Sequence, residues 1–305
     1  MGTKMESMLI TGVNGLLGQK ILEQASSKYS IIGIDLHEEP YHKKVKFEYR
    51  KLDLTNRRAV KEIISDFLPD FLINTAAMTD VDGCETQKEQ CWKINVEAVD
   101  NIIYAVRKID TKIVHLSSDY VFDGKSGPYS EDSVPSPLGY YGKSKLASEN
   151  LLISSDVEAA IVRTMVLYGS GVRVRPNFVT WLISTLEDEK SVTIANDQFG
   201  NPTLADDLAA AIIRIVELKK WDLYHISGSE LIDRYNFTVK IADIFKLNKG
   251  LISSITSAEL NQPAQRPLKS GFNIDKARSE LGIEMSTVEE GLKIFKKQYK
   301  KFRLF

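Results

Sequence analysis

Cysteine is scarce in this 305-residue sequence, and its two copies do not form a recognisable site. Cys84 and Cys91 are seven positions apart in a predicted helix. That separation is about two helical turns, which is too long for a disulfide and unlike the spacing of a metal-binding pair. We therefore expect two ordinary, partly buried thiols and no metal site.

The sequence also lacks an excess of charge of either sign and any long apolar run. Its 40 basic and 41 acidic residues give a net charge of -1, which offers no global electrostatic reason to expect nucleic-acid binding. No run approaches the roughly 18 apolar residues that span a bilayer, and the first residues contain no apolar signal-peptide region. We expect a soluble, cytoplasmic protein with neither a nucleic acid nor a membrane as partner.

What the sequence does contain is a regular alternation of short apolar strands and helices. Such alternation is typical of a doubly wound parallel sheet covered on both faces, a Rossmann-like α/β fold. The pattern becomes less regular after residue 165 and predicts a smaller, mixed α/β substrate lobe. The predicted strands are 7–11, 30–35, 47–52, 71–75 and 112–117, and the predicted helices of this part include 58–67 and 85–107.

The domain boundaries follow from this change of pattern. We assign residues 1–165 to a dinucleotide-binding domain, to which 197–220 returns, and residues 166–196 and 221–305 to the substrate lobe. The last predicted helix, 292–302, is basic and amphipathic, a pattern compatible with an anionic membrane surface. Docking on its own domain is the favoured interpretation.

A glycine-rich turn follows the first predicted strand directly and opens the next helix. It reads Gly12-Val13-Asn14-Gly15-Leu16-Leu17-Gly18, and in this setting glycines let the backbone approach a pyrophosphate at the helix N-terminus. The spacing is G-x-x-G-x-x-G, whereas G-x-G-x-x-G is commoner. Asp35 ends the second strand, where an acid binds an adenosine ribose and disfavours a 2′-phosphate. Because the basic residues His37, Lys43 and Lys44 follow closely in the sequence, the predicted cofactor is either NADP or NAD.

Further polar clusters end the other predicted strands. They are Asp53, the segment 74–77 and the segment 117–119. Because ligands of open parallel sheets lie at the carboxyl ends of the strands, we expect these clusters to meet at one edge.

Tyr141 and Lys145 lie one turn apart at the start of a predicted helix. A nearby cation favours the phenolate, so this spacing suggests proton chemistry, with Ser118 binding a substrate oxygen. Tyr140 is five positions from Lys145 and projects from another part of the helix. Ser118 is also compatible with a turn-capping hydroxyl. Asp119 and Tyr120 follow in a loop that we expect over the site.

These motifs together resemble the extended short-chain dehydrogenase/reductase superfamily and, within it, the dTDP-4-dehydrorhamnose reductase family. The resemblance covers nearly the whole chain. Its carriers are Thr11-Gly12-x-x-Gly15-x-x-Gly18, Asn74-x-Ala76-Ala77, Ser117-Ser118-Asp119-Tyr120-Val121-Phe122-Asp123-Gly124, Tyr141-Gly142-Lys143-Ser144-Lys145, Asp197-Gln198-Phe199-Gly200-Asn201-Pro202-Thr203 and Ala264-Gln265-Arg266-Pro267.

The resemblance implies three groups of residues, an NADP or NAD cofactor and a homodimer. The catalytic residues would be Ser118, Tyr141 and Lys145. The substrate residues would be Asp119, Tyr120, Val166, Asn177 and Arg266. The cofactor residues would be Gly12, Asn14, Gly15, Leu16, Leu17, Gly18, Asp35, Asp53, Leu54, Ala76, Ala77 and Asn95, together with Tyr141 and Lys145. Asn95 is equally compatible with a helix-packing role.

The implied activity is NAD(P)H-dependent reduction of the C4 keto group of a nucleotide-activated 6-deoxy-4-keto sugar, most simply dTDP-4-dehydrorhamnose to dTDP-L-rhamnose. Val166 replaces the tryptophan usual in these reductases, and Met78 replaces a tyrosine. The first departure leaves open a reductase, epimerase or dehydratase of another nucleotide sugar. An alternative of another class is a non-catalytic regulatory subunit similar to the beta subunit of methionine adenosyltransferase.

Overall fold

The computed structural model of the chain describes residues 5–260 and 262–302. The strands are β1 Ser7–Thr11, β2 Ser30–Asp35, β3 Glu48–Lys51, β4 Phe71–Asn74, β5 Lys112–Ser118, β6 Ala159–Thr164, β7 Leu167–Tyr168, β8 Val192–Ala195, β9 Phe199–Gly200, β10 Thr203–Leu204, β11 Leu223–His225, β12 Ile232–Asp233 and β13 Ile252–Ile255. The α-helices are α1 Leu16–Ala25, α2 Arg57–Phe67, α3 Val81–Thr86, α4 Lys88–Trp92, α5 Ala98–Val106, α6 Tyr140–Ile153, α7 Phe178–Glu187, α8 Ala205–Leu218, α9 Arg234–Phe245, α10 Asp275–Leu281 and α11 Val288–Phe302.

Seven parallel strands form the central sheet, in the order β11-β6-β5-β4-β1-β2-β3. This confirms the Rossmann-like prediction. The strand order reverses direction between β1 and β4, where Thr11 is in register with Asn74. A reversal of this kind opens a crevice at the carboxyl ends of the strands, which is where such sheets bind ligands.

Helices cover both faces of this sheet, as its apolar strands require. On one face α1 packs against α8, and Ile21 and Ile212 join Ile10 in one buried cluster. On the other face α2 packs against α5, and Ile64 and Ile102 join a second cluster. Removal of this apolar surface from water stabilises the layered arrangement.

The strand after Trp221 belongs to the central sheet, which corrects its predicted place in the smaller lobe. Strand β11 pairs in parallel with β6, and its Tyr224 is fully buried in the same core as Ile10. Helix α10 also packs on β11 and α8. The substrate lobe therefore begins and ends at different residues from those that the sequence pattern indicated.

The smaller lobe has its own core, built from α7, α9 and α11 around short two-stranded sheets. Leu292 and Phe295 of α11 are fully buried there. The terminal helix is thus docked on its own domain, as favoured from the sequence. The side chain of Phe302, the last residue of the predicted apolar stripe, lies outside the described part.

The single long helix predicted for 85–107 is wrong. Gln87 leaves helical geometry, with φ -118° and ψ 53°, between α3 and α4. A π-helical turn over Lys93–Glu97 then leads into α5. The interrupted path buries Cys84 and Cys91 completely, and the free thiols donate to the Met78 carbonyl at 3.8 Å and to Ser144 Oγ at 3.4 Å. The expected partial burial of these cysteines is corrected accordingly.

Candidate active site

The glycine turn between β1 and α1 has the geometry that a closely approaching ligand needs. Gly12 adopts a left-handed φ of +66°, which favours glycine. A side chain at Gly18 would overlap the Gly12 carbonyl and come within 2.7 Å of the Val13 Cα atom. The Gly15 amide donates to the Gly12 carbonyl at 2.9 Å, and Leu16 and Leu17 begin α1. Backbone alone therefore lines the turn at the helix N-terminus.

Asp35 is fixed beside this turn. Its Oδ2 accepts the Asn14 amide at 3.0 Å and its Oδ1 accepts the Leu36 amide at 2.8 Å. Asn14 Oδ1 accepts the Tyr41 amide at 2.8 Å, so the following loop is tied to the same point. Each carboxylate oxygen keeps a second lone pair that can accept a ribose hydroxyl.

Asp53 and Leu54 lie at the end of β3 on the same edge, but their polar groups also stabilise local structure. Asp53 Oδ1 accepts both the amide and the hydroxyl of Thr55 at 2.9 Å. The Leu54 carbonyl accepts Asn101 Nδ2 at 2.9 Å. The structure thus gives these residues turn contacts, and their contact with the adenosine stays a prediction.

Ala76 and Ala77 follow β4 beside the glycine turn. The Ala76 amide donates to Thr11 Oγ1 at 3.4 Å, and a Cβ on Gly12 would be only 3.0 Å from the Ala76 nitrogen. The two segments form neighbouring walls of the crevice. Small side chains at both alanines keep that crevice open.

Asn95 makes the helix-packing contacts that we considered as its alternative role, and its contact with a cofactor stays a prediction. It is buried in the π-helical turn, where its Oδ1 accepts the Met78 amide at 2.8 Å. Its Nδ2 donates to the Met78 carbonyl at 3.1 Å and to Ser144 Oγ at 3.0 Å. Both ends of the amide are therefore used to fix Met78 against helix α6.

Ser118, Tyr141 and Lys145 come together at the carboxyl end of β5 and the start of α6. Tyr141 and Lys145 are both buried, and Tyr141 is hydrogen-bonded to Ser118. Ser118 Oγ donates to Asp119 Oδ1 at 3.0 Å and also accepts the Tyr120 amide at 3.3 Å. Ser118 is thus a turn-capping hydroxyl as well as the neighbour of Tyr141.

Tyr140 has a different environment, in agreement with the choice between the two tyrosines. Its amide donates to Glu85 Oε1 at 2.5 Å, and the Lys88 ammonium lies 5.6 Å from its ring centroid. The ring packs toward Trp92 at 6.3 Å. Tyr140 therefore lies outside the buried Ser118 and Tyr141 pair.

Burial dominates the protonation of these groups. It raises the pKa of Tyr141 well above its ordinary value, and the hydrogen bond with Ser118 opposes that rise. This burial outweighs the lowering of the Tyr141 pKa that we predicted from Lys145. Burial also lowers the pKa of Lys145 to about 8, against the attraction of Glu149, and raises that of Asp119 to about 6, against hydrogen bonds from Ser270 and Ser118.

A buried polar network underlies α6, and we did not predict it from the sequence. Arg163 binds both carboxylate oxygens of Glu149, at 2.9 and 2.6 Å, and Ser117 donates to the same carboxylate. The residues of this network are polar side chains in otherwise apolar strands and on the inner face of α6. A polar residue at such a buried position is the sequence signal that could have identified them. The network fixes the inner face of the helix that carries Lys145.

A second chain of contacts crosses the sheet from the glycine turn. Thr11 Oγ1 donates to Asn74 Oδ1 at 2.7 Å, and Asn74 Nδ2 lies 3.0 Å from His115 Nδ1. His115 Nε2 lies 3.0 Å from Ser148 Oγ, which donates to the Lys145 carbonyl at 2.7 Å. The residues therefore join the glycine turn to the helix of Tyr141 and Lys145.

A cavity of about 190 Å³ opens beside Asp119, between the central sheet and the smaller lobe. Four of the five predicted substrate residues line it, namely Asp119, Tyr120, Val166 and Arg266. The fifth, Asn177, does not line it. Asn177 caps helix α7 through the Val179 and Thr180 amides at 3.1 Å, and its Nδ2 donates to the Gly169 carbonyl at 2.8 Å. Its predicted contact with the substrate stays a prediction.

The chain was compared with known families and solved structures. Residues 5–301 match the family model described as RmlD substrate binding domain. The chain belongs to this family. The match confirms the resemblance to dTDP-4-dehydrorhamnose reductases within the extended short-chain dehydrogenase/reductase superfamily.

Members of the RmlD substrate binding domain family and their structures resemble the chain over nearly its full length. A dTDP-4-dehydrorhamnose reductase of Aggregatibacter actinomycetemcomitans is 32% identical over 95% of this chain and 98% of its own. The crystal structure of the Bacillus anthracis dTDP-4-dehydrorhamnose reductase in complex with NADP has a TM-score of 0.87 and 29% identity, covering 97% and 100% of the two chains. The methionine adenosyltransferase 2 subunit beta of Xenopus tropicalis is 34% identical over 92% of this chain and 83% of its own.

Val166, in the cavity wall of this family member, has an unusual backbone conformation. Its φ of +43° is in the left-handed region, where a β-branched residue is rare. The Val166 carbonyl accepts the Thr203 amide at 3.1 Å, which holds the segment against the Asp197–Thr203 motif. The small side chain therefore forms one fixed wall of the cavity.

The same cavity contains Arg234, which our sequence analysis did not identify. It is the first residue of α9 and follows the capping residue Asp233. One arginine at a helix start forms no recognisable pattern, so only the folded arrangement shows its relation to Asp119. Residues 5–260 and 262–302 contain no helix long and apolar enough to cross a membrane and no cluster of three or more acidic, histidine or cysteine side chains suited to a metal.

Proposed function

We propose that this chain catalyses NAD(P)H-dependent reduction of the C4 keto group of a nucleotide-activated 6-deoxy-4-keto sugar. The simplest such reaction converts dTDP-4-dehydrorhamnose to dTDP-L-rhamnose. One observation carries the proposal: Ser118 is hydrogen-bonded to Tyr141, Lys145 lies on the next turn of the same helix, and the residues that follow Ser118, Asp119 and Tyr120, line the cavity. The reductase relatives support the same reaction class.

The residues at the sheet edge fit a dinucleotide. A Cβ at Gly12 would meet the Ala76 backbone and one at Gly18 would meet the Gly12 carbonyl, so glycines allow the close turn, and the α1 N-terminus favours the charge of a pyrophosphate. Asp35 would accept the adenosine ribose hydroxyls, and Ala76 and Ala77 would flank the groove. When bound, the reduced nicotinamide supplies the hydride for the sugar carbon.

The protein residues then complete the reduction. Tyr141 donates its proton to the C4 oxygen. The single O–H of Ser118, which donates to Asp119 Oδ1 in the structure, would turn to the same oxygen and stabilise its developing negative charge. Because burial opposes ionisation of Tyr141, the phenol is held in the proton-bearing form that donation requires. Lys145, beneath it, supplies a cation that favours the phenolate formed in the step.

The decisive experiment replaces Tyr141 with phenylalanine and measures turnover and cofactor binding. We expect Tyr141→Phe to lose at least about 100-fold in turnover, the usual contribution of a positioned proton donor, and to keep its affinity for the dinucleotide. Tyr140→Phe is the matched control and should retain activity. Full activity of Tyr141→Phe would contradict the mechanism.

A substrate panel resolves the sugar. dTDP-, UDP-, GDP- and CDP-linked keto sugars are each incubated with the reduced cofactor, and its absorbance is followed. Net oxidation of the cofactor indicates a reductase. Product without net cofactor oxidation indicates an epimerase or dehydratase of another nucleotide sugar, the alternative that Val166 motivates.

A non-catalytic subunit is the second candidate, and the 34% identity to a methionine adenosyltransferase subunit beta favours it. The intact Ser118, Tyr141 and Lys145 arrangement favours the enzyme. Purification of the chain with a heterologous partner, together with no reduction of any keto sugar, would support the subunit.

The proposal includes a cytoplasmic homodimer, as the family resemblance implies. The dimer is supported by the membership of the family, and the location is supported by the sequence composition. Sedimentation at several protein concentrations tests the dimer, and fractionation of the source cells tests the location.

A further inference from the structure

Arg234 lies in the wall of the cavity that Asp119 and Tyr120 also line. Its guanidinium carbon is 4.6 Å from the centroid of the Phe178 ring, and its backbone amide donates to the Gln198 carbonyl at 2.9 Å. The residue is half-buried, so the side chain is held against the ring while part of it faces the cavity. Stacking of this kind fixes the plane of a guanidinium and leaves its edge donors available.

The carboxylates that line the cavity are engaged elsewhere. Asp119 accepts hydrogen bonds from Ser118 at 3.0 Å and from Ser270 at 2.7 Å. Asp233 accepts the amide of Asn236 at 2.9 Å and its side-chain nitrogen at 2.6 Å. Among the described residues, no ion pair within 4.0 Å includes Arg234.

Arg266 provides the contrast on the neighbouring wall. It pairs with Asp82 at 2.8 Å and also donates to the Ala264 carbonyl at 3.3 Å. Its positive charge is therefore compensated within the protein. The positive charge of Arg234 is favoured at longer range by the Asp119 carboxylate, while burial, the largest effect, and Arg266 lower the pKa of its guanidinium.

A partly desolvated guanidinium without an acidic partner is costly unless a ligand supplies the anion. An arginine fork binds phosphate or carboxylate oxygens through paired hydrogen bonds. We propose that Arg234 binds the diphosphate of the nucleotide sugar. This inference rests on the proposed function, because it takes the ligand to be a nucleotide sugar.

The position of Arg234 fits this assignment. Asp119, adjacent in sequence to Ser118, marks the end of the cavity where the reacting sugar carbon must lie. Arg234 and Arg266 are set on the walls contributed by α9 and by the segment around Pro267. A ligand with its sugar at Asp119 therefore presents its next group, the diphosphate, to the arginines.

The test measures binding of dTDP and of thymidine by calorimetry to the full chain and to Arg234→Gln. We expect the Kd for dTDP to weaken 10- to 100-fold in Arg234→Gln, and that for thymidine to change less than twofold. Arg234→Lys, which keeps the charge without the fork, should fall between. Arg58→Gln is the matched control, because Arg58 is exposed on α2 and pairs only with Glu62.

The outcomes separate this inference from others. Equal dTDP affinity in wild type and Arg234→Gln, with a lowered melting temperature in the variant, overturns it in favour of a purely structural stack on Phe178. Unchanged dTDP affinity with weakened binding of UDP-glucuronate overturns it in favour of a carboxylate on the sugar. A wild-type chain that binds no nucleoside diphosphate contradicts the proposed function itself.

Discussion

Replacement of Arg163 by methionine should destabilise the protein severely, because it leaves the Glu149 carboxylate buried without its cation. Both side chains are almost inaccessible, at 4% and 1% exposure, and two hydrogen bonds join them. Loss of one member of such a pair costs about 3–5 kcal/mol. Urea unfolding followed by circular dichroism measures this loss as a lower midpoint at an unchanged slope.

Two comparisons sharpen that prediction. Arg58→Met removes an exposed pair with Glu62 at i,i+4, which solvent screens, and should leave the urea midpoint nearly unchanged. The double variant Arg163→Met, Glu149→Gln should be more stable than Arg163→Met alone, because the unpaired charge is gone. A loss below about 1 kcal/mol in Arg163→Met would refute the assignment of Arg163 as the compensating cation of this network.

Three other perturbations follow from the geometry. Burial raises the pKa of Asp119 to about 6 from 3.8, so the folded state holds this proton more tightly. The bound proton stabilises the folded state by about 3 kcal/mol below about pH 4, and this contribution is lost as the pH rises to about 6. Asp119→Asn should therefore remove this pH dependence from the free energy of unfolding that urea measures across that range. Gly18→Ala should abolish dinucleotide binding in fluorescence titration, since its Cβ meets the Gly12 carbonyl; retained binding would contradict the pyrophosphate assignment. Asp35→Ala should raise kcat/KM for NADPH relative to NADH, because the carboxylate repels a 2′-phosphate; an unchanged ratio would place the selectivity elsewhere.

The sequence predicted most of the central sheet because its strands are short, buried on both faces and therefore continuously apolar. The bounds of β1 and β2 agree with the prediction to the residue. Gly12 and Gly18 were identifiable because only glycine meets the backbone requirements of the turn. Tyr141 and Lys145 were identifiable because helical spacing fixes their relation.

The errors have equally specific causes. Local propensity favours one helix across 85–107, and the tertiary contacts of Asn95 with Met78 and Ser144 accompany the irregular turn there. The structural contacts of Asn95 and Asn177 could not be predicted, because an amide that caps or packs has the same composition as one that binds a ligand. The place of β11 depends on strand order in space, which local pattern does not contain. The position of Arg234 in the cavity wall depends on the same long-range arrangement.

The position of β11 has a consequence for folding during synthesis. The central sheet receives its edge strand only after residue 225 has emerged from the ribosome, and helix α10, which packs on that strand, ends at residue 281. A nascent chain halted near residue 220 would leave the edge of β6 unpaired and the apolar surface beneath Tyr224 uncovered. Exposed strand edges promote aggregation. Completion of the nucleotide-binding half thus depends on the final quarter of the chain.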